Sequence, residues 1–227
     1  MIRAMLIGAA FGMHYWTYFL SLKASTVAIA MLTLFTHPII SGFVEPFYSK
    51  KKIDLSQVVL GACMLAGVWF LQTTEPPTGA DISFGILTGM VSSVILVFRN
   101  IYTKRLMTEA QIRPTSMMFY QLLAAGAVFL PFFTWGDAVL DWRLIGLLSA
   151  LVLGTTLVGQ LIFISSLRVF DATVAGLITC IQPVIGTGYA VWLLDEQITS
   201  GTVIGGGILL SSVAAVNIRQ LKTKTHG

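Results

Sequence analysis

The chain contains apolar runs too long for a soluble core to use. Residues 4–22, 26–47, 55–72, 82–102, 115–133 and 142–167 carry few charges. Each reaches the roughly 18 residues that let a helix cross a bilayer. Residues 172–218 add a hairpin of two further apolar helices, one with Gln182-Pro183 in its middle and one holding Gly205-Gly206-Gly207. The apolar residues fill these runs on every side, so no solvated face remains. Lipid offers backbone amides no partner, and a helix satisfies them within itself. The expectation is an all-α integral membrane protein of eight transmembrane helices.

Charge agrees with this. Only 11% of the residues are charged, against about 25% in a soluble domain. The 14 basic residues exceed the 10 acidic ones, but they sit between the runs, which points to a membrane face and to no nucleic acid partner. Cys63 and Cys180 fall inside apolar runs and act as small apolar residues. No CxxC pair, phosphate loop, HExxH or GxSxG is present. Neither an enzyme nor a metal or cofactor site is expected.

Eight spans put both termini on one side. With the termini inside, twelve basic residues lie at the cytoplasmic face, counting Arg99, and only Lys23 and Arg143 lie outside. Glu75, Asp81, Asp137, Asp141, Asp195 and Glu196 fall in the outer loops. The positive-inside rule therefore predicts cytoplasmic termini. The polar stretch 73–81, with Pro76-Pro77, is the expected linker between a first half, 1–72, and a second half, 82–218; residues 219–227 form a basic cytoplasmic tail.

The halves carry one pattern twice. His37-Pro38-Ile39-Ile40, Lys51-Lys52-Ile53-Asp54 and Val58-Val59-Leu60-Gly61 recur 145 residues later as Gln182-Pro183-Val184-Ile185, Glu196-Gln197-Ile198-Thr199 and Val203-Ile204-Gly205-Gly206. The first turn is basic and inside, the second acidic and outside. The copies therefore cross the membrane in opposite senses, the inverted-repeat plan of many secondary transporters.

On these residues the chain resembles the EamA-type transporters of the drug/metabolite transporter superfamily. The carrying residues are Ala172-Thr173-Val174-Ala175, Gln182-Pro183, the turn Asp195-Glu196-Gln197-Ile198-Thr199 and the glycine-rich last span. The resemblance implies ten spans in two inverted five-span halves, of which this chain matches spans three to ten. The first half would then hold three spans and lack one wall of the transport cavity. A fainter resemblance, residues 98–108, is to sugar-phosphate translocators.

Polar residues within the spans are the candidate solute contacts. Gln182, beside Pro183, either meets solute or satisfies the carbonyl freed by the proline. His37, beside Pro38, holds the equivalent place. Its unperturbed pKa of about 6.5 makes proton coupling a candidate, against a buried histidine bonded to a neighbouring helix. Gln160, Gln121, Tyr120 and Tyr15 are further candidates. Arg99 is read first as snorkelling to the cytoplasmic interface, with anion pairing the second reading. Pro38 and Pro183 are the expected helix breaks. No Asp or Glu lies at the centre of a span; Glu45 comes nearest. Gly8/Gly12, Gly85/Gly89 and Gly201/Gly205 are read as packing positions, with a homodimer as the further use.

The expected function is export of small organic metabolites (amino acids, sugars or drugs) through an inner or plasma membrane by alternating access. Sugar-phosphate or nucleotide-sugar translocation is one alternative. A truncated scaffold that assembles with a partner is the other.

Overall fold

In the structure, a computed structural model, the described residues are 1–25, 27–50, 53–71, 81–132, 141–182, 184–185, 192 and 200–225. Pro183, Lys51, Lys52, linker residues 73–80 and the acidic turn 195–199 lie outside them. Among the described residues all regular structure is helical: α1 (Ile2–Ala24), α2 (Val27–Leu34), α3 (His37–Ser49), α4 (Leu55–Leu71), α5 (Ile82–Glu109), α6 (Pro114–Phe129), α7 (Trp142–Leu151), α8 (Gln160–Ser166), α9 (Ala172–Thr179) and α10 (Ser200–Thr225). A short 3₁₀ turn, Leu130–Phe132, extends α6, and a π-helical stretch, Val152–Gly159, joins α7 to α8.

Three helical stretches among the described residues are long and apolar enough to cross a membrane, Ile29–Ser49, Ile82–Glu109 and Trp142–Ser166. Leu55–Phe70 and Val203–Ala215 are shorter apolar helices. Large apolar side chains stand outward along the helices, among them Phe19, Trp69, Leu87, Leu147, Ile162 and Val203. Water penalises such a surface and lipid does not. The fold is that of a helical integral membrane protein.

The helices group into two compact units, one of Met1–Met13 with Phe98–Asp171, the other of His14–Val97 with Ala172–Gly227. In the first unit α1 lies on α6 at its glycines. A Cβ added at Gly8 would sit 2.6 Å from the backbone of Gln121, and one at Gly12 would sit 3.1 Å from that of Ala125. Glycine is what allows this approach. Phe11, Met117, Ile164 and Leu167 fill the core there. Lys104 pairs with Asp171, and Arg168 donates to the Ile112 carbonyl at 2.8 Å, tying the ends of the helices together.

In the second unit α4 packs along α10, and α3 packs on α9 and α4. Lys50 ends α3 with a left-handed φ of 54°, its N–H donating to the Pro46 carbonyl. The span over residues 26–47 is interrupted, as α2 stops at Leu34 and α3 starts at His37. Pro38 has no N–H to give the Leu34 carbonyl, its partner in a continuous helix. Two side chains stand in: His37 Nδ1 lies 3.0 Å from that oxygen, and Ser93 Oγ on α5 donates to it at 3.4 Å. Thr36 Oγ1 joins Ser93 Oγ at 2.9 Å. The later helix α9 stops at Thr179, also four residues before a proline, so the two helix ends are 145 residues apart, as the sequence copies are.

The α1–α6 contact gives a direct test. Gly8→Ala is expected to cost about 1–3 kcal/mol, the usual effect of overpacking, and to lower the thermal midpoint in detergent. Gly126→Ala, where an added Cβ meets nothing within 4 Å, should hold that midpoint or raise it, since alanine favours a helix interior over glycine. Equal midpoints for both variants would refute the close packing.

Candidate functional site

Charge inside an apolar helix must be surrounded by polar groups or it is not tolerated. In the first unit that surrounding is built around Arg99, which is 2% exposed. α5 runs on past Tyr102 to Glu109, so Arg99 is an interior residue of that helix. Its Nε and Nη2 both donate to Gln121 Oε1, at 3.0 and 2.5 Å. Nη1 donates to Asn100 Oδ1 at 3.0 Å, and Nη2 reaches Gln160 Oε1 at 3.4 Å. The guanidinium carbon sits 4.2 Å above the Phe11 ring and 5.9 Å from that of Phe163. Gln121 is itself oriented, its Nε2 donating to Thr103 Oγ1 at 2.9 Å. Arg99 and Thr103 are one turn apart on α5, so a single face of that helix offers both ends of the Gln121 amide their partners.

These contacts correct the snorkelling expectation for Arg99. The side chain turns inward because amides from α5, α6 and α8 and two aromatic faces compensate its lost hydration. The amide oxygens orient the guanidinium and carry no charge of their own. Arg99 also lines a cavity of about 530 Å³, with Arg3, Leu6 and Ile7 of α1 and Tyr102, Arg105 and Glu109 of α5 among its walls.

Three of the seven candidate residues, Arg99, Gln121 and Gln160, thus meet in one cluster. Tyr120 does not join it; its half-buried ring stands edge-on to Phe119, 5.6 Å away. His37, Tyr15 and Gln182 belong to the second unit. His37 is buried at the broken span, and its ring bonds the turn before it where a neighbouring helix was expected. Its Nε2 is so close to Gly176 that a Cβ there would lie 2.9 Å away. Tyr15 is half-buried beside His14, with ring centres 5.2 Å apart. Gln182 is exposed.

Sequence reasoning missed two polar constructions in the second unit. His14 Nδ1 lies 2.8 Å from Ser92 Oγ, which in turn donates to the His14 carbonyl at 3.0 Å. Glu45, 6% exposed, caps a helix from across the unit. Its two carboxylate oxygens accept the Ala172 and Thr173 amides, each at 2.8 Å, and the Thr173 hydroxyl at 2.7 Å. Ser41 Oγ adds a 3.1 Å bond to the same hydroxyl. The first amides of a helix are orphan donors, and a carboxylate there also meets the positive end of the helix dipole. The signal for Glu45 was its place inside an apolar run. Its partner, 127 residues away, left no local trace.

The Arg99 cluster predicts a stability pattern. Gln121→Leu removes two bonds to a charged group and is expected to cost about 3 kcal/mol, read as a lowered thermal midpoint in detergent. Gln121→Glu keeps an acceptor at the same place and should hold the midpoint near wild type. A midpoint unmoved by Gln121→Leu would show that the amide does not hold Arg99.

Known proteins resemble this chain in fold and sequence. A crystal structure matches the fold with a TM-score of 0.79 at 18% identity, over 96% of this chain and 76% of that one. A protein of Archaeoglobus fulgidus described as an uncharacterized transporter is 23% identical over 201 residues, covering 87% of this chain and 69% of that protein. The first likeness is one of fold alone; the second, with the family match, points to a membrane transporter rather than an enzyme. The model of the EamA-like transporter family matches residues 83–218, more than half of the chain, and the chain belongs to that family.

Proposed function

We propose that the protein moves small organic solutes across an inner or plasma membrane by alternating access, with Arg99, held in place by Gln121 and Gln160, as the polar group that the solute meets. The observation that carries this is the buried guanidinium of Arg99, held by uncharged amides and facing a cavity. A charge kept at that depth in an apolar helix is by default a functional group. The broken helix at Pro38, with a second break expected from the sequence at Pro183, is the moving part, since a span already interrupted can change its bend without losing a continuous ladder of hydrogen bonds. The cytoplasmic placement of both termini rests on the charge asymmetry of the loops, and the export direction on the family resemblance. His37 is the candidate for proton coupling, and a homodimer is the candidate assembly.

The hinge role has a clear test. Pro38→Ala restores an amide donor to the Leu34 carbonyl and should join α2 to α3. The expected result is a variant at least as stable as wild type whose uptake in liposomes falls about tenfold or more, a loss of at least 1.4 kcal/mol in transition-state terms. The assay uses a panel of amino acids, sugars and organic acids, with and without a pH gradient. Full uptake by Pro38→Ala removes the hinge. No uptake by wild type above empty liposomes, for any solute or gradient, removes the transporter reading in favour of a scaffold.

A further inference from the structure

The repeat seen in the sequence recurs among the helices. α2 (Val27–Leu34) and α9 (Ala172–Thr179) have the same length and stand 145 residues apart. The same offset carries α1 onto residues 147–169, most of which lie in the stretch Trp142–Ser166, and matches Lys23 with Arg168. α1 is well covered. In the first unit α6 lies against its glycines, with the Gln121 backbone 2.6 Å from a Cβ built on Gly8 and the Ala125 backbone 3.1 Å from one built on Gly12. In the second unit α5 holds it through Ser92, 2.8 Å from His14 Nδ1, and through the Gly85 carbonyl, which accepts from Ser21 Oγ at 2.7 Å. Ala4, Gly8, Gly12, His14 and Thr17 are accordingly buried. Their counterparts Ser149, Leu153, Leu157, Gly159 and Ile162 are all exposed, as are residues 142–147, 150, 152, 154 and 158. The other long apolar stretches, Ile29–Ser49 and Ile82–Glu109, have buried positions throughout.

Helices in lipid hold one another by close packing. Trp142–Ser166 lacks, over most of its length, the packing that its repeat copy has. What covers α1 is a consecutive pair of helices, α5 and α6, so a single added helix would supply only half of the cover. A second copy of this chain has no spare pair to offer, since its α5 and α6 already lie on its own α1. We propose that the exposed face of Trp142–Ser166 seats a two-helix membrane hairpin of a partner protein. The repeat is inverted, so the hairpin crosses in the sense opposite to α5–α6. On α1, glycine makes room for the neighbour. Leucines stand at the matching positions 153 and 157, so the small residues of this contact fall to the partner. The inference concerns assembly and does not rest on what the protein moves.

Photo-crosslinking of the full chain in the membranes of its own source cell tests this. Benzoylphenylalanine is placed at Leu153, at Ile162 and, as a lipid-facing control on α5, at Leu87, all more than half exposed. The expected result is one and the same polypeptide joined at Leu153 and at Ile162 but not at Leu87, with two adjacent apolar runs of roughly 18 residues or more in its sequence. Added in purified form to the chain in detergent, it should raise the thermal midpoint by about 5 °C. The double variant Gly154→Phe/Gly159→Phe puts two rings on the seat, at positions where an added Cβ meets nothing within 4 Å, so by itself it should melt as wild type does. It should show no rise with the partner. Adducts of twice the chain's mass overturn the proposal in favour of a second copy. Adducts to lipid alone overturn it in favour of a bare face. A captured polypeptide that lacks two adjacent spans, leaves the midpoint unmoved, or raises that of the double variant as far as that of wild type also overturns it.

Discussion

A helix in lipid has nowhere to discard an unpaired carbonyl, and Pro38 creates one at Leu34. Much of the second unit follows from that single defect. The carbonyl draws the His37 ring back onto the turn before it. It draws Ser93 of α5 toward the break, and Thr36 closes the group by bonding Ser93. One missing N–H therefore determines where a histidine points and which side of α5 faces the broken span. In the sequence α9 stops at the corresponding place. Its last residue, Thr179, stands to Pro183 as Leu34 stands to Pro38, and Thr179 turns its hydroxyl onto the Gly176 carbonyl at 2.7 Å.

Side-chain charge obeys the same rule at higher stakes. Removing a guanidinium from water costs several kcal/mol even after the surroundings relax. In the first unit this is offset by many modest contacts: an amide from α6 that bonds it twice, amides from α5 and α8, and the faces of Phe11 and Phe163. The close approach of α1 to α6 is part of the arrangement. Gly8 lets the Gln121 backbone come near, and Phe11, one turn on, then lies over the guanidinium. A side chain at Gly8 would move the aromatic face as well as the helix.

The helical membrane fold was legible because lipid selects for one property, apolar length, that can be counted along a chain. The limits of α4 and of the stretch Trp142–Ser166 fall within a residue of the hydropathy runs. α5 differs because hydropathy marks where lipid ends, whereas the helix continues through Arg99, Asn100, Thr103 and Lys104 to Glu109. That difference hid the Arg99 cluster: a residue taken to lie at the edge of a span turned out to be inside a packed helix. Gln121 and Gln160 were visible as polar residues in apolar runs, but their meeting with Arg99 spans 22 and 61 residues. No periodicity reports a contact of that kind. Glu45 shows the same limit from the acidic side.

Glu45 and Arg99 also show two ways in which a buried charge is held. Both are almost fully enclosed. Glu45 spends its oxygens on the first two amides of α9 and on a hydroxyl, and those donors are fixed parts of a helix end that would be orphaned without it. Its job is complete within the protein. Arg99 is held by side-chain amides from three helices, and part of its surface forms the wall of a cavity with two more arginines at the mouth. What separates the two residues is therefore geometry. One charge ends on backbone that the fold itself must satisfy, and the other borders a cavity.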